Sequence, residues 1–135
     1  MKVEAIHVRA PDEAEVREVG VVEAVAGKGL DGDRYFFADG ARPGLALTLI
    51  EGDVVRGAGL EPGSTHRQVT VTGTGLNDLV GKKFRVGSVE CYGVMLCEPC
   101  LHLQEMTRPG IIKELVHRAG PNADILTDGS ISVGD

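Results

Sequence analysis

Phe84-Arg85-Val86-Gly87-Ser88-Val89-Glu90-Cys91-Tyr92-Gly93-Val94-Met95-Leu96-Cys97-Glu98-Pro99-Cys100 is the stretch on which the fold class turns. Phe84 and Val86 alternate with charged residues, Gly87 breaks the run, and Val89–Leu96 resumes as a strand candidate. Apolar residues at period 2 line one face of a pleated strand, which is how a half-buried sheet announces itself. Upstream the same pattern recurs at Val69 with Val71, at Leu45, Leu47 and Leu49, across Gly20–Ala26, and around Val3, Ile6 and Val8 within Lys2–Arg9. Downstream it returns at Ala123–Leu126 and Ile131–Val133. Short strands punctuated by Gly, Pro and Asp predict a barrel or sandwich rather than a layered α/β fold.

Helix signals are fewer. The strongest follows Thr107 as N-cap, with Pro109 in the first turn, Ile111, Ile112, Leu115 and Val116 on one face, and Gly120 as the stop. Thr107–Ala119 is therefore expected to contain the longest helix. Shorter helices are expected from Glu51 through Val54, Val55 and Ala58, and from Leu101 to Met106 after Pro99. No repeat or linker interrupts the chain, so residues 1–135 are expected to form a single domain with one core.

The hydrophobic fraction of 42% and charged fraction of 25% belong to ordinary globular chains. Aromatic side chains are limited to Tyr35, Phe36, Phe37, Phe84 and Tyr92, which leaves the core to Val, Leu, Ile and Ala. Glycine, at 19 residues of 135, is about twice its ordinary share of roughly 7% and implies many tight turns. A net charge of −6 argues against nucleic acid or an anionic membrane as partner, while leaving room for one local basic pocket. There is no long apolar run and no secretory leader pattern, and the three cysteines are too few for a disulfide framework. A cytoplasmic setting is expected.

Cys97-Glu98-Pro99-Cys100 falls where a strand reading ends and a helix reading begins. A helix N-terminus favours the thiolate, the form needed for a soft metal, a transferred sulfur or disulfide exchange. Structural zinc would need four ligands, and only Cys91 and His102 are near in sequence. A thioredoxin-like pair fits the spacing without the βαβ surroundings, and two buried thiols acting as small apolar residues fit it as well. Both cysteines are expected to be reduced and free of zinc.

Gly27-Lys28-Gly29-Leu30-Asp31-Gly32-Asp33-Arg34 combines tight-turning glycines with cations able to meet a phosphate, although glycine-rich basic loops are most often only turns. It matches neither a P-loop nor a dinucleotide fingerprint. Thr65-His66-Arg67-Gln68 precedes a Val-rich strand and sets an Arg fork at a strand edge. His7, His66, His102 and His117 show no metal-ligand spacing, and no Ser/His/Asp series is apparent.

Taken in order, these segments resemble the MOSC family, named for the C-terminal domain of molybdenum-cofactor sulfurases. The resemblance runs from Gly27 to Asp135: Gly29-Leu30-Asp31-Gly32-Asp33-Arg34, Leu47-Thr48-Leu49-Ile50-Glu51, Arg67, Leu79-Val80-Gly81-Lys82, Phe84-Arg85-Val86-Gly87, Cys97-Glu98-Pro99-Cys100-Leu101 and Gly129–Asp135. It implies a mainly β, partly closed barrel of the pyruvate-kinase β-barrel kind with a few short peripheral helices. It implies molybdenum cofactor (molybdopterin) as ligand, Cys100 as the residue presented to molybdenum or to transferred sulfur, and Arg34 and Arg67 as partners of the pterin phosphate. Thr48, Glu51, Cys97 and Glu98 are further pocket candidates by the same resemblance. Arg34, Arg67 and the cysteine turn are expected to face one cavity.

Two departures stand out: Gln68 occupies a position where larger relatives often have Asn, and Gly52 follows the acidic position. Neither the pyridoxal-phosphate desulfurase of the sulfurases nor the upstream β-barrel domain of the amidoxime-reducing members has a counterpart in these 135 residues, so a separate cysteine desulfurase or a reductase is the expected partner. The implied activities are sulfur transfer or reduction of N-hydroxylated small molecules. A non-catalytic carrier of cofactor or sulfur, or a thiol–disulfide protein using the Cys97/Cys100 pair, remains the alternative.

Overall fold

The computed structural model describes residues 1–73 and 75–135. The chain runs β1 (Lys2–Val8), β2 (Arg17–Val19), β3 (Val21–Val25), β4 (Gly29–Leu30), β5 (Leu47–Glu51), α1 (Gly52–Gly57), β6 (Val69–Thr72), a 3-10 turn (Leu76–Leu79), β7 (Lys83–Val86), β8 (Val89–Leu96), α2 (Leu101–Met106), α3 (Ile111–Leu115), β9 (Pro121–Ile125) and β10 (Gly129–Ser132). A seven-stranded sheet has the order β2-β1-β6-β5-β9-β8-β7, and a three-stranded sheet has the order β10-β3-β4. β5 and β6 pair in parallel, and the other named pairs are antiparallel.

Backbone bonds stitch the small sheet across the curl of the large one. Val3 N donates to Asp135 O and Gly134 N to Val3 O on one side, and Gly27 N donates to Ile125 O on the other. The result is a mainly β half-barrel, within the barrel-or-sandwich class that the short alternating strands predict and as the resemblance implies. Among the described residues no helix is long and apolar enough to cross a membrane.

The interior is aliphatic, as the scarcity of aromatics requires. Ile6, Leu30, Leu47, Leu49, Val69, Val71, Val89, Ile125 and Ile131 are each at most 2% exposed within one cluster. Burial of each such side chain contributes about 1.5–3 kcal/mol. A register shift between Val3 and Ala5 lets Val3 and Ile6, of opposite parity, both reach that core, which explains the loose alternation of the first strand. A smaller cluster of Val54, Ala58, Leu103, Ile111, Leu115 and Ala119 packs the three helices together on one side.

The helix expected over Thr107–Ala119 is corrected. Only Ile111–Leu115 is helical, five residues against six in each of α1 and α2. Thr107 closes α2 instead of opening a helix, since its Oγ1 donates 2.7 Å to Leu103 O and its backbone leaves helical geometry. Gly110 then turns with φ 86 before α3. Beyond Leu115 the chain must dive beneath β5: a Cβ on Gly120 would run into the carbonyl oxygen of Leu49, so packing there admits only glycine. Leu45 lies outside β5 and is 42% exposed. β2 and β4 carry too few residues for periodicity to reveal them.

Candidate functional site

The glycine-rich segment is built around Asp33, which is only 5% exposed. Its Oδ1 accepts Arg9 N at 2.8 Å, and its Oδ2 accepts Gln68 Nε2 at 2.7 Å and Tyr35 N at 3.1 Å. Gln68 continues the network, with Oε1 accepting Thr48 N at 2.9 Å while Gln68 N donates to Thr48 Oγ1 at 3.0 Å. The segment is thereby tied to the start of β5 and to the approach to β6. Thr48 and Gln68 direct these groups at one another, so both belong to the scaffold beneath the site. Arg34, next to Asp33, lies over the Tyr35 ring at 4.6 Å and donates to its hydroxyl at 2.9 Å.

Arg67 is the clasp of the cysteine turn. Its Nε donates to Ala119 O at 3.0 Å, Nη1 to Thr65 O at 3.2 Å and Nη2 to Cys97 O at 2.8 Å. Cys97 N donates to Gly120 O at 2.7 Å. With its fork spent on three carbonyls, Arg67 positions the turn more than it offers itself to an anion. Glu98 is also engaged, accepting His117 N at 2.8 Å and facing His117 Nδ1 at 2.6 Å. A register shift between Gly93 and Met95 re-aims the end of β8 into this turn. Cys100, at the start of α2, is exposed, and Cys97 is half-buried. Cys91 is buried in the core, where desolvation pushes its thiol pKa up to about 12. Glu51 is half-buried at the end of β5, in register with Val71, and takes no part in the bonds just described.

His66 links the two segments. It is half-buried with φ 59, and its pKa is held below the usual value first by burial and then by the charges of Arg34, Arg9, His102 and Arg67. Arg34 and Arg67, thirty-odd positions apart in the chain, therefore both bear on one histidine, together with His102 from the first turn of α2. A small pit beside it is lined by His7, Arg9, Arg34, Tyr35, His66 and Gln68, among others. Larger clefts, of about 220 and 300 Å³, lie elsewhere, where Glu4 and Glu18 line both. The structure thus sets Arg9 and Arg34 around the pit at His66 and Arg67 against the cysteine turn, while Arg67, Cys97 and Cys100 do not line that pit.

Sequence reasoning did not single out Asp33, Arg9 or His66. Asp33 stood in the quoted glycine-rich segment, where a carboxylate between tight turns is a signal for a backbone anchor. Arg9 carried no local signal. Among the described residues no group of His, Cys, Asp and Glu gathers closely enough to hold a metal by itself.

Fold and site together define a mainly β half-barrel that presents an exposed thiol on a turn clasped by an arginine, and a pit lined by two further arginines. No protein-family model matches the chain, and no curated protein matches it in sequence. Solved structures do match in shape. The YuaD protein from Bacillus subtilis superposes with a TM-score of 0.79 at 15% identity, over 99% of this chain and 92% of that one. YiiM from Geobacillus stearothermophilus has a TM-score of 0.73 at 16% identity, covering 98% of this chain and 71% of that one. YiiM from Escherichia coli has a TM-score of 0.67 at 15% identity, covering 98% and 66%. At such identities the likeness establishes the fold.

Proposed function

We propose that this chain is a MOSC-type domain that binds molybdenum cofactor, with the Cys100 thiolate as the protein ligand to molybdenum. The observation that carries the reading is the exposed Cys100 at the end of a turn clasped by Arg67, in a chain of net charge −6 whose Arg9 and Arg34 line a pit with His66. The donor chemistry fits the group: a soft thiolate suits molybdenum, and Arg34 with Arg9 and His66 suits the pterin phosphate. Once bound, the cofactor would supply a redox-active metal able to carry sulfur or to exchange oxygen with an N-hydroxylated substrate. This chain's own residues hold and orient it. Arg67 fixes the backbone that carries Cys97, and Asp33 fixes the segment that carries Arg34.

Exposure of Cys100, with Leu101 beside it 69% exposed, favours docking of a separate protein, a cysteine desulfurase or a reductase. The same exposure suits the carrier form of the reading, in which the chain passes cofactor or sulfur to that partner.

The test is metal and pterin analysis of protein made in a host that synthesises the cofactor. The parent is expected to hold molybdenum and pterin near one per chain. Cys100→Ser is expected to lose the metal while remaining within about 0.5 kcal/mol of the parent in stability, as an exposed substitution should. Cys97→Ser is expected to retain most of it. Equal loss in both variants would indicate a dithiol centre, and full retention by Cys100→Ser would refute the ligand assignment.

A further inference from the structure

We propose that the cleft between α1 and the outer face of β1 and β6 binds a small aliphatic amine in its ammonium form, with Glu4, Glu18 and Thr70 receiving its N–H groups. The cleft shares no lining residue with the pit at His66 or with the cysteine turn, so the proposal stands apart from the cofactor reading.

Strand alternation sets the cleft up. Val69 and Val71 turn into the core, so Thr70 between them faces the opposite side, level with Ala5 of β1. The register shift that sends both Val3 and Ile6 inward leaves Glu4 and Ala5 on that outer side as well. There α1 packs against β5 and β6, and the space it leaves, about 220 Å³, is walled by Ala5, Val55, Leu60 and Pro62. Sites for drug-sized molecules begin at roughly 300 Å³, so the apolar part of the ligand is a short alkyl chain.

Two polar groups at this cleft are open. Thr70 is only 9% exposed, and its hydroxyl makes no hydrogen bond among the described residues. Glu4 accepts from Arg56 through Oε1, and Arg56 Nη2 also donates to Asp53 at 2.8 Å. The second oxygen of Glu4, Oε2, is buried without a partner among the described residues. Gly52 makes room for it, since a Cβ there would strike that oxygen. Glu18, opposite His7 on β2, brings a second carboxylate to the same cleft.

A buried carboxylate oxygen and a buried hydroxyl without partners call for a donor. The two carboxylates outweigh Arg56, which is already paired, so the donor that suits them is positively charged. A net charge of −6 draws such a cation from solution. A primary ammonium meets these demands together, with three N–H groups for three acceptors and an alkyl chain for the apolar walls. Calcium or magnesium would require about six oxygen ligands and gain nothing from those walls.

The experiment is a titration of the full chain with n-butylammonium chloride at constant ionic strength and about pH 7, where an alkylamine is protonated. Calorimetry and amide NMR follow it. n-Butanol, with the chain but no charge, and tetramethylammonium, with the charge but no N–H donor, are the controls. A dissociation constant on the order of 1 mM is expected for n-butylammonium, with both controls about tenfold weaker. Resonances of Glu4, Gly52, Val55 and Thr70 should shift, and those of Cys97 and Cys100 should not. Thr70→Val, which keeps the side-chain shape, is expected to weaken binding about fivefold, and Glu18→Gln about threefold. Glu18 is 64% exposed, so its substitution spares the fold. Absence of binding, equal binding of either control, or undiminished binding in either variant would each overturn the proposal. Because no cofactor is used, a negative molybdenum analysis would leave this result standing.

Discussion

In the glycine-rich segment Gly27–Arg34 a buried side chain fixes the backbone, whereas in the cysteine turn Cys97–Cys100 the backbone is fixed and the thiol at its end is left open. Asp33 sits 5% exposed and gathers donors from Arg9, Tyr35 and Gln68. At the turn, Arg67 and Gly120 hold the carbonyl and the N–H of Cys97, while Cys100 faces solvent. The first arrangement secures the fold and sets Arg34 in place. The second presents a reactive group without burying it. The difference teaches that the residues nearest the candidate chemistry need not be those on which the fold depends.

The sharpest way to break this contrast is Asp33→Ala. It strands donors from three residues, that of Gln68 in a buried bond, and is expected to cost about 3 kcal/mol in urea unfolding. An Asp33→Ala protein as stable as the parent would show that the segment is held in some other way.

Arg67→Met keeps the aliphatic stem but releases Thr65 O, Cys97 O and Ala119 O. A cost of about 2 kcal/mol is expected. Faster amide hydrogen exchange should be confined to the turn and to the chain between α3 and β9. A uniform rise across the sheet would mean that Arg67 supports the whole fold rather than the turn.

The smallest effect is in pH. His66 is held low by burial and by Arg34, Arg9, His102 and Arg67, and His7 by burial, partly opposed by Glu18. Both are depressed, so the unfolded chain takes up protons first as pH drops. Stability should therefore be full above about pH 6.5 and decline as the pH falls through the lowered folded values. Thermal unfolding between about pH 7.5 and about pH 5.5 checks this, and His66→Asn should remove part of the slope. A melting temperature that rises on acidification would contradict both assignments.

Much of this molecule is legible in the chain. Val89–Leu96 is the observed β8 and Leu101–Met106 the observed α2, because each is a local pattern bounded by its own breakers. The early strand, Val69 with Val71, and Phe84 with Val86 appear where alternation places them. The long third helix does not, because Thr107 bonds backward to Leu103 and Gly120 must slip beneath Leu49. Neither constraint can be seen in a helical pattern.

The candidate site divides along the same line. The amino-acid order by itself determined that strands predominate, that an aliphatic core replaces an aromatic one, and that a thiol pair stands between a strand and a short helix. Periodicity is local and needs no knowledge of neighbours. Only the tertiary structure decided that Arg9 and Arg34 meet His66 around one pit, that Asp33 is the anchor, and that Arg67 spends its fork on carbonyls. Those facts depend on which strands become neighbours and how the sheet curls, and a charged side chain records neither in its local sequence.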